Sequence, residues 1–171
     1  AVREHMAKAH RQDIVWDTLL FGFLKLFEAA RPDSDPRHFY LEREWRVIIV
    51  GAGKIGAALA QYRGFGERGF RVVGIYDIAP ARIGISLDGI VVKDQHELDA
   101  DLKAMKPDIV LIAVPPEAAQ PLVDRVTKAG IRGVLNFAPT PLQAPAGVTL
   151  RSVDMALELE ILSYALASTK G

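Results

Sequence analysis

Val47-Ile-Ile-Val-Gly-Ala-Gly-Lys-Ile-Gly56 decides the fold: an apolar run breaks directly into a Gly-x-Gly-x-x-Gly signature, and a helical stretch follows. Each glycine has a separate task. Gly51 lets a strand turn sharply, Gly53 lets backbone approach a pyrophosphate, and Gly56 lets the next helix pack closely on the sheet. Ala52, Lys54 and Ile55 fill out the loop, and the helix starting near Lys54 points unpaired N–H groups and its positive dipole end at an anion. The second strand, Val72-Val-Gly-Ile-Tyr-Asp77, ends in an acid about twenty residues past the last glycine, placed to accept from the hydroxyl pair of an adenosine ribose. Ile78 follows it. An ionised Asp at that tip repels the additional phosphate of NADP, and no arginine immediately follows, so NAD(H) is the expected cofactor. Arg82 is near enough in sequence to swing back.

The bulk composition bounds the function classes. A chain of 171 residues, 50% hydrophobic, is long enough for one sizeable core with an appendage. Its apolar runs are strand-length, short of the ~18 to 20 residues of a membrane helix, and the start does not read as a signal peptide, so a cytoplasmic globular protein is expected. With no cysteine there is no disulfide, thiolate metal site or thiol nucleophile, and any redox role belongs to a bound cofactor. The histidines, His5, His10, His38 and His96, are scattered, and no metal site is expected. A formal net charge of zero lacks the basic excess usual in a self-sufficient nucleic-acid-binding domain.

From Asp13 to Ala30, apolar residues from Ile14 to Phe27 recur with roughly helical spacing behind a candidate N-cap, Asp13, which predicts an amphipathic helix. Arg31-Pro-Asp-Ser-Asp-Pro36 ends it and reads as a linker. Strands and helices then alternate: strand 45–50, helix 54 to about 62, strand 72–77, a short strand near 90–92, and a polar helix 95–105. They continue as strand 109–114, helix 117–129, strand 133–136, a strand near 148–152, and a terminal helix from Asp154 to about Thr169. This is the pattern of an α/β fold: a doubly wound, mostly parallel Rossmann sheet over residues 37–152, with a helical appendage (1–36) and a C-terminal helix (153–171).

In such a sheet a ligand lies beyond the carboxyl ends of the strands, where the strand order reverses. Besides the glycine loop, two post-strand loops qualify: Ala113-Val-Pro-Pro116, with Val114 and Pro115 as candidates, and Asn136-Phe137-Ala138-Pro139. Asn136 carries donor and acceptor, and either meets a ribose or carboxamide or caps its own turn.

Taken together, these residues resemble the Rex family of bacterial redox-sensing repressors, which read the NADH to NAD ratio. The resemblance runs from about Arg37 onward. It rests on Arg43-Glu-Trp45, Val50-Gly-Ala-Gly-Lys-Ile-Gly56, Tyr62-Arg-Gly-Phe-Gly-Glu67, Gly74-Ile-Tyr-Asp77, Ala113-Val-Pro-Pro-Glu-Ala-Ala-Gln120, Ala129-Gly-Ile-Arg-Gly-Val-Leu-Asn-Phe-Ala-Pro139 and Val153-Asp154. Tyr-x-Gly-Phe-Gly and Leu-Asn-Phe-Ala-Pro are not generic to dinucleotide folds. The resemblance implies a homodimer whose halves rotate when NADH binds, releasing operator DNA, with no substrate turned over. It also implies that Tyr62 and Asp154 form a contact sensitive to cofactor state, with Met155 standing where the family commonly has phenylalanine, a thioether in place of a stacking ring. Read without it, Tyr62 is a boundary aromatic and Asp154 an N-cap.

The terminal helix carries an apolar band broader than one solvent-facing helix needs, from Met155 to Leu166. The resemblance implies that it inserts between subunits and holds the dimer; the alternative is packing on its own sheet. The front departs from the family. A single predicted helix and a proline linker do not make the winged-helix reader, which needs helices crossing at a tight turn and exposed basic and amide groups. Two other functions compete: an NAD-dependent oxidoreductase, which lacks a substrate domain and has only Tyr62 as an acid, and a CoA-binding Rossmann module, against which Asp77 argues.

Overall fold

The computed structural model describes residues 44–168, so the expected helix 13–30, the linker 31–36 and residues 169–171 lie outside the described residues. Within them, Glu44 and Tyr62–Gly69 belong to one compact unit, and Trp45–Gln61 with residues 70–168 to another. The second unit holds a seven-stranded sheet: β1 (Trp45–Val50), β2 (Phe70–Asp77), β3 (Ser86–Leu87), β4 (Ile90–Asp94), β5 (Ile109–Ile112), β6 (Gly133–Asn136) and β7 (Thr149–Ser152). Their spatial order is β3-β4-β2-β1-β5-β6-β7, and every pairing is parallel except the antiparallel β3–β4 hairpin. Leaving aside β3, the chain steps outward on one side of β1 and then outward on the other, so the strand order reverses between β1 and β5.

Helices connect the central strands: α1 (Lys54–Ala60) follows β1, α3 (Leu98–Met105) follows β4 through a 3₁₀ turn at Gln95–Glu97, and α4 (Pro116–Lys128) follows β5. The four-residue helix α2 (Gly64–Glu67) lies in the first unit, and α5 (Met155–Ser168) follows β7. Central strands carry apolar side chains on both faces because both are covered. Ile48, Val50, Tyr76, Val110, Ile112 and Val134 join Leu98 and Leu102 of α3 and Leu122, Val123 and Val126 of α4 in one core. Ile49, also fully buried, points the other way, toward α1 at Gly56. Pro116 opens α4 at the position where a missing N–H costs nothing. The phenol of Tyr76 crosses the core to donate to Asp101 at 2.6 Å, and the ammonium of Lys93 donates to the same carboxylate at 2.7 Å.

The alternation expected from the sequence is present, with four departures. α1 stops at Ala60 rather than Tyr62, and β5 ends at Ile112, two residues short, because Ala113 already begins the loop. As expected, the crossovers β2 to β4 and β6 to β7 contain no helix. β3 is an additional strand: Asp88 and Gly89, both at positive φ (48° and 80°), turn the chain back so that Ser86 and Leu87 pair with Val91 and Ile90. The fourth departure is α2, over a Gly-Phe-Gly-Glu sequence whose two glycines disguise a helix. Among the described residues, no helix is long and apolar enough to cross a membrane.

The tightest packing is between α1 and the turn before it. A Cβ built on Gly56 would lie 1.7 Å from the carbonyl oxygen of Gly51. Gly56→Ala should therefore force helix and turn apart and lower stability by about 1–3 kcal/mol, read as a drop in the urea midpoint; an unchanged midpoint would show that the contact is slack.

Candidate functional site

The carboxyl edge of the sheet is laid out by backbone hydrogen bonds that continue one residue past each strand. Gly51 N–H donates to the Tyr76 carbonyl (2.7 Å), Ala113 to Val50 (2.8 Å), Phe137 to Ile112 (2.8 Å) and Val153 to Asn136 (2.8 Å). The loops after β1, β5, β6 and β7 thus start side by side in one row. Val114 and Pro115 follow the second rung, Phe137 and Ala138 stand at the third, and Asp154 and Met155 follow the fourth.

Within this row the glycines of the β1 loop differ in what requires them. Gly51 has φ of 99°, and a Cβ there would sit 2.3 Å from the Ala113 carbonyl oxygen and 3.1 Å from Val114. Only glycine fits. Gly53 is the opposite case: its φ of −69° and ψ of −168° suit any residue, and a Cβ would meet nothing within 4 Å. Neither strain nor protein packing calls for glycine at this position. Ala52 is buried, whereas Lys54 and Ile55 are exposed at the start of α1. No side chain caps that helix.

Asp77 is buried at the tip of β2 and holds this loop in place. One carboxylate oxygen accepts from the Ala52 N–H at 2.7 Å, and the other from the Ala79 N–H at 2.7 Å in an Asx turn. Nη1 of Arg82 lies 3.2 Å from the first oxygen. The sequence reading left Arg82 near enough to swing back, and the structure brings it to the acid, because Arg82 and Ile83 N–H both donate to the Ala79 carbonyl and curl the chain over Asp77. Burial raises the Asp77 pKa, but the N–H groups of Ala79 and Ala52 and the Arg82 guanidinium outweigh it and hold the carboxyl below the ordinary value. Ile78, beside it, is 68% exposed.

Asn136 turns inward. Its side chain is fully buried, donating to the Ala138 carbonyl (2.9 Å) and Ser152 Oγ (3.2 Å) and accepting from the Ala138 N–H (2.8 Å). Of the two readings of this residue, the structure displays the turn cap, since contact with a ribose or carboxamide would require breaking these bonds. Asp154 caps α5: its Oδ1 accepts from the N–H groups of Ala156 (3.0 Å) and Leu157 (3.2 Å). Met155, the next residue, is 43% exposed. Tyr62 belongs to the first unit, where its ring meets Phe65 edge-on at 5.1 Å and lies against Gly64, which has no room for a Cβ.

Comparison with known proteins agrees with this fold. The profile of the CoA binding domain family matches residues 42–140. The redox-sensing transcriptional repressor Rex of Streptomyces griseus subsp. griseus is 45% identical over 128 residues, 75% of this chain and 51% of the repressor. That of a Roseiflexus species is 41% identical over 127 residues, 74% of this chain and 58% of the repressor. The chain belongs to the CoA binding domain family. The chain spans little more than half the length of those relatives. Among solved structures it is similar to RSP, a Rex-family repressor. The complex of RSP with beta-NADH aligns at a TM-score of 0.73 and 32% identity, covering 79% of this chain and 65% of RSP. The complex with beta-NAD+ and operator DNA aligns at 0.74 and 32%, covering 79% and 62%.

What the sequence reading missed is the double use of Asp77 as a strand-tip acid and as the brace of the glycine loop. Since its folded pKa is the lower one, the stabilisation by its ionised form is complete above the unfolded value, about 3.9, and is lost as pH falls through the folded value. Asp77→Asn should lack that acid-side loss. Between about pH 6 and pH 3 the urea midpoint of the wild type should fall further than that of the variant, and parallel declines would show that the brace does not depend on charge.

Proposed function

We propose that this chain is the NAD(H)-binding sensor part of a cytoplasmic Rex-type repressor, responding to the NADH/NAD ratio as a homodimer that acts on operator DNA. The observation that carries the reading is the open space over Gly53. A glycine that neither packing nor backbone strain explains, in a loop held open by a buried acid, is accounted for by a ligand lying against its backbone. In this reading Gly51, Ala52, Gly53, Lys54, Ile55 and Gly56 receive the pyrophosphate, and Asp77 and Ile78 hold the adenosine. Each oxygen of Asp77 has accepting capacity beyond its single backbone N–H, which leaves room for a ribose hydroxyl pair once the half-exposed Arg82 gives way. Val114, Pro115, Phe137 and Ala138 line the nicotinamide side, and Asn136 contributes by shaping its loop.

The bound cofactor carries a hydride or lacks one, and the chain uses that difference as a signal rather than for turnover. Tyr62, Asp154 and Met155 are proposed to read it. Two features favour this: the Rex relatives named above are repressors, and Asp154 and Met155 leave the same row of rungs as the glycine loop. The homodimer is proposed to form through α5. Met155, Leu157, Leu159, Ile161, Leu162, Tyr164 and Leu166 are 43–77% exposed, so the helix is apolar on all sides and covered on none. A helix of that kind is stable in water only when another surface covers it, and the family resemblance makes that surface a second copy.

Titrating the chain with NADH by fluorescence, with NAD+ and CoA as competitors, tests the cofactor. NADH should bind and NAD+ should displace it, while CoA, which carries a phosphate on the ribose that Asp77 would read, should not. Binding of CoA alone would favour the wider family's ligand. Asp77→Arg should weaken NADH more than tenfold, at least ~1.4 kcal/mol, and an unchanged affinity would refute the ribose assignment. Incubation with a panel of alcohols and hydroxy acids should give no NADH formation. Removal of residues 154–171 should convert a dimer to a monomer in sedimentation; a truncated chain that still sediments as a dimer removes α5 from the interface.

A further inference from the structure

We propose that Gln120 is a positioning residue: from the second turn of α4 it locks the loop after β6 to the element that follows β5, and so fixes the wall proposed to receive the nicotinamide. The inference rests on the dinucleotide reading above and deepens it at the other end of the ligand. Residues 137–148 cross from β6 to β7 without a helix or strand, and Pro139, Pro141 and Pro145 have no N–H to offer. Such a segment must borrow its fixed points from elsewhere. Its root is tied by the Phe137 N–H, which donates to the Ile112 carbonyl at 2.8 Å, and by Asn136 Nδ2, which donates to the Ala138 carbonyl at 2.9 Å.

Farther along, Gln120 supplies the second fixed point. Its Oε1 accepts from the Gln143 N–H at 2.9 Å and its Nε2 donates to the Gln143 carbonyl at 3.0 Å, the double exchange that two residues make across a sheet ladder. Leu142 and Ala144, on either side, pack against the core. Apolar contact of that kind sets the depth of the loop, whereas the directional amide pair sets its register. The amide is itself oriented by Asp124, one turn along α4, whose Oδ1 accepts from Nε2 at 2.8 Å. Reversing the amide would turn its oxygen on that carboxylate. The two loops are thus joined at the root by Phe137 and Ile112 and above it by Gln120 and Gln143, so Pro115 at the start of α4 and Phe137 and Ala138 form one rigid wall. A wall ordered in advance costs a ligand less to bind than one that must be ordered around it.

The full chain can be titrated with NADH by fluorescence and with ADP-ribose as a competitor, which carries the adenosine and the pyrophosphate but no nicotinamide. Gln120→Leu, similar in size and unable to make either bond, should raise the NADH Kd at least about fivefold while the ADP-ribose Kd stays within about twofold of wild type. Asp124→Ala removes only the contact that orients the amide. It should weaken NADH in the same direction but less, and should add nothing in the Gln120→Leu background, because Asp124 acts through Gln120 alone. An unchanged NADH Kd in Gln120→Leu, an equal loss of both ligands, or additive effects of the two substitutions overturns the proposal while leaving the dinucleotide reading intact. If neither ligand binds the wild type, that reading itself falls and takes this proposal with it. Thermal melts of the variants separate loss of fold from loss of binding.

Discussion

The carboxylate of Asp77 and the amide of Ala52, 2.7 Å apart in the interior, tie the end of the second strand to the loop after the first. Much of the edge depends on this contact. A buried carboxylate is tolerated only where its charge is met by donors, and here backbone N–H groups from two loops and one guanidinium supply them. In return the glycine loop acquires a fixed shape with no side chain of its own committed to the task. Gly51 and Gly56 remain free to be chosen for close approach, and Gly53 for openness.

Much of this was legible beforehand, because the signals were strong in physical terms. The apolar run ending in Gly51-x-Gly53-x-x-Gly56 specifies a strand, a tight turn and a closely packed helix at once, and the sheet order follows from alternation. The β3–β4 hairpin had a signal that went unread: Asp88-Gly89 is a dipeptide suited to two consecutive positive φ values, but the flanking strands are too short to show periodicity. The helix at Gly64–Glu67 was hidden by its composition.

The site was less legible than the fold for a different reason. Sequence spacing names an acid or an amide, but does not say how many of its hydrogen bonds the protein itself consumes. Asn136 left two readings open, and its side chain is spent on Ala138 and Ser152. Arg82 was near enough in sequence to swing back, and one turn around the Ala79 carbonyl decides that it does. Asp154 gave both of its readings a foothold, since a cap at the root of α5 also stands at the carboxyl edge. The apolar breadth of α5 was plain in the sequence, and its exposure in a single chain gives that breadth its meaning.

The row formed by Gly51, Ala113, Phe137 and Val153 is made of peptide groups alone. Anchorage of this kind is indifferent to which side chains follow it. Substitutions in any one loop can therefore retune what the crevice recognises without relocating its neighbours, and a scaffold of this sort can diversify its ligands while its architecture stays constant.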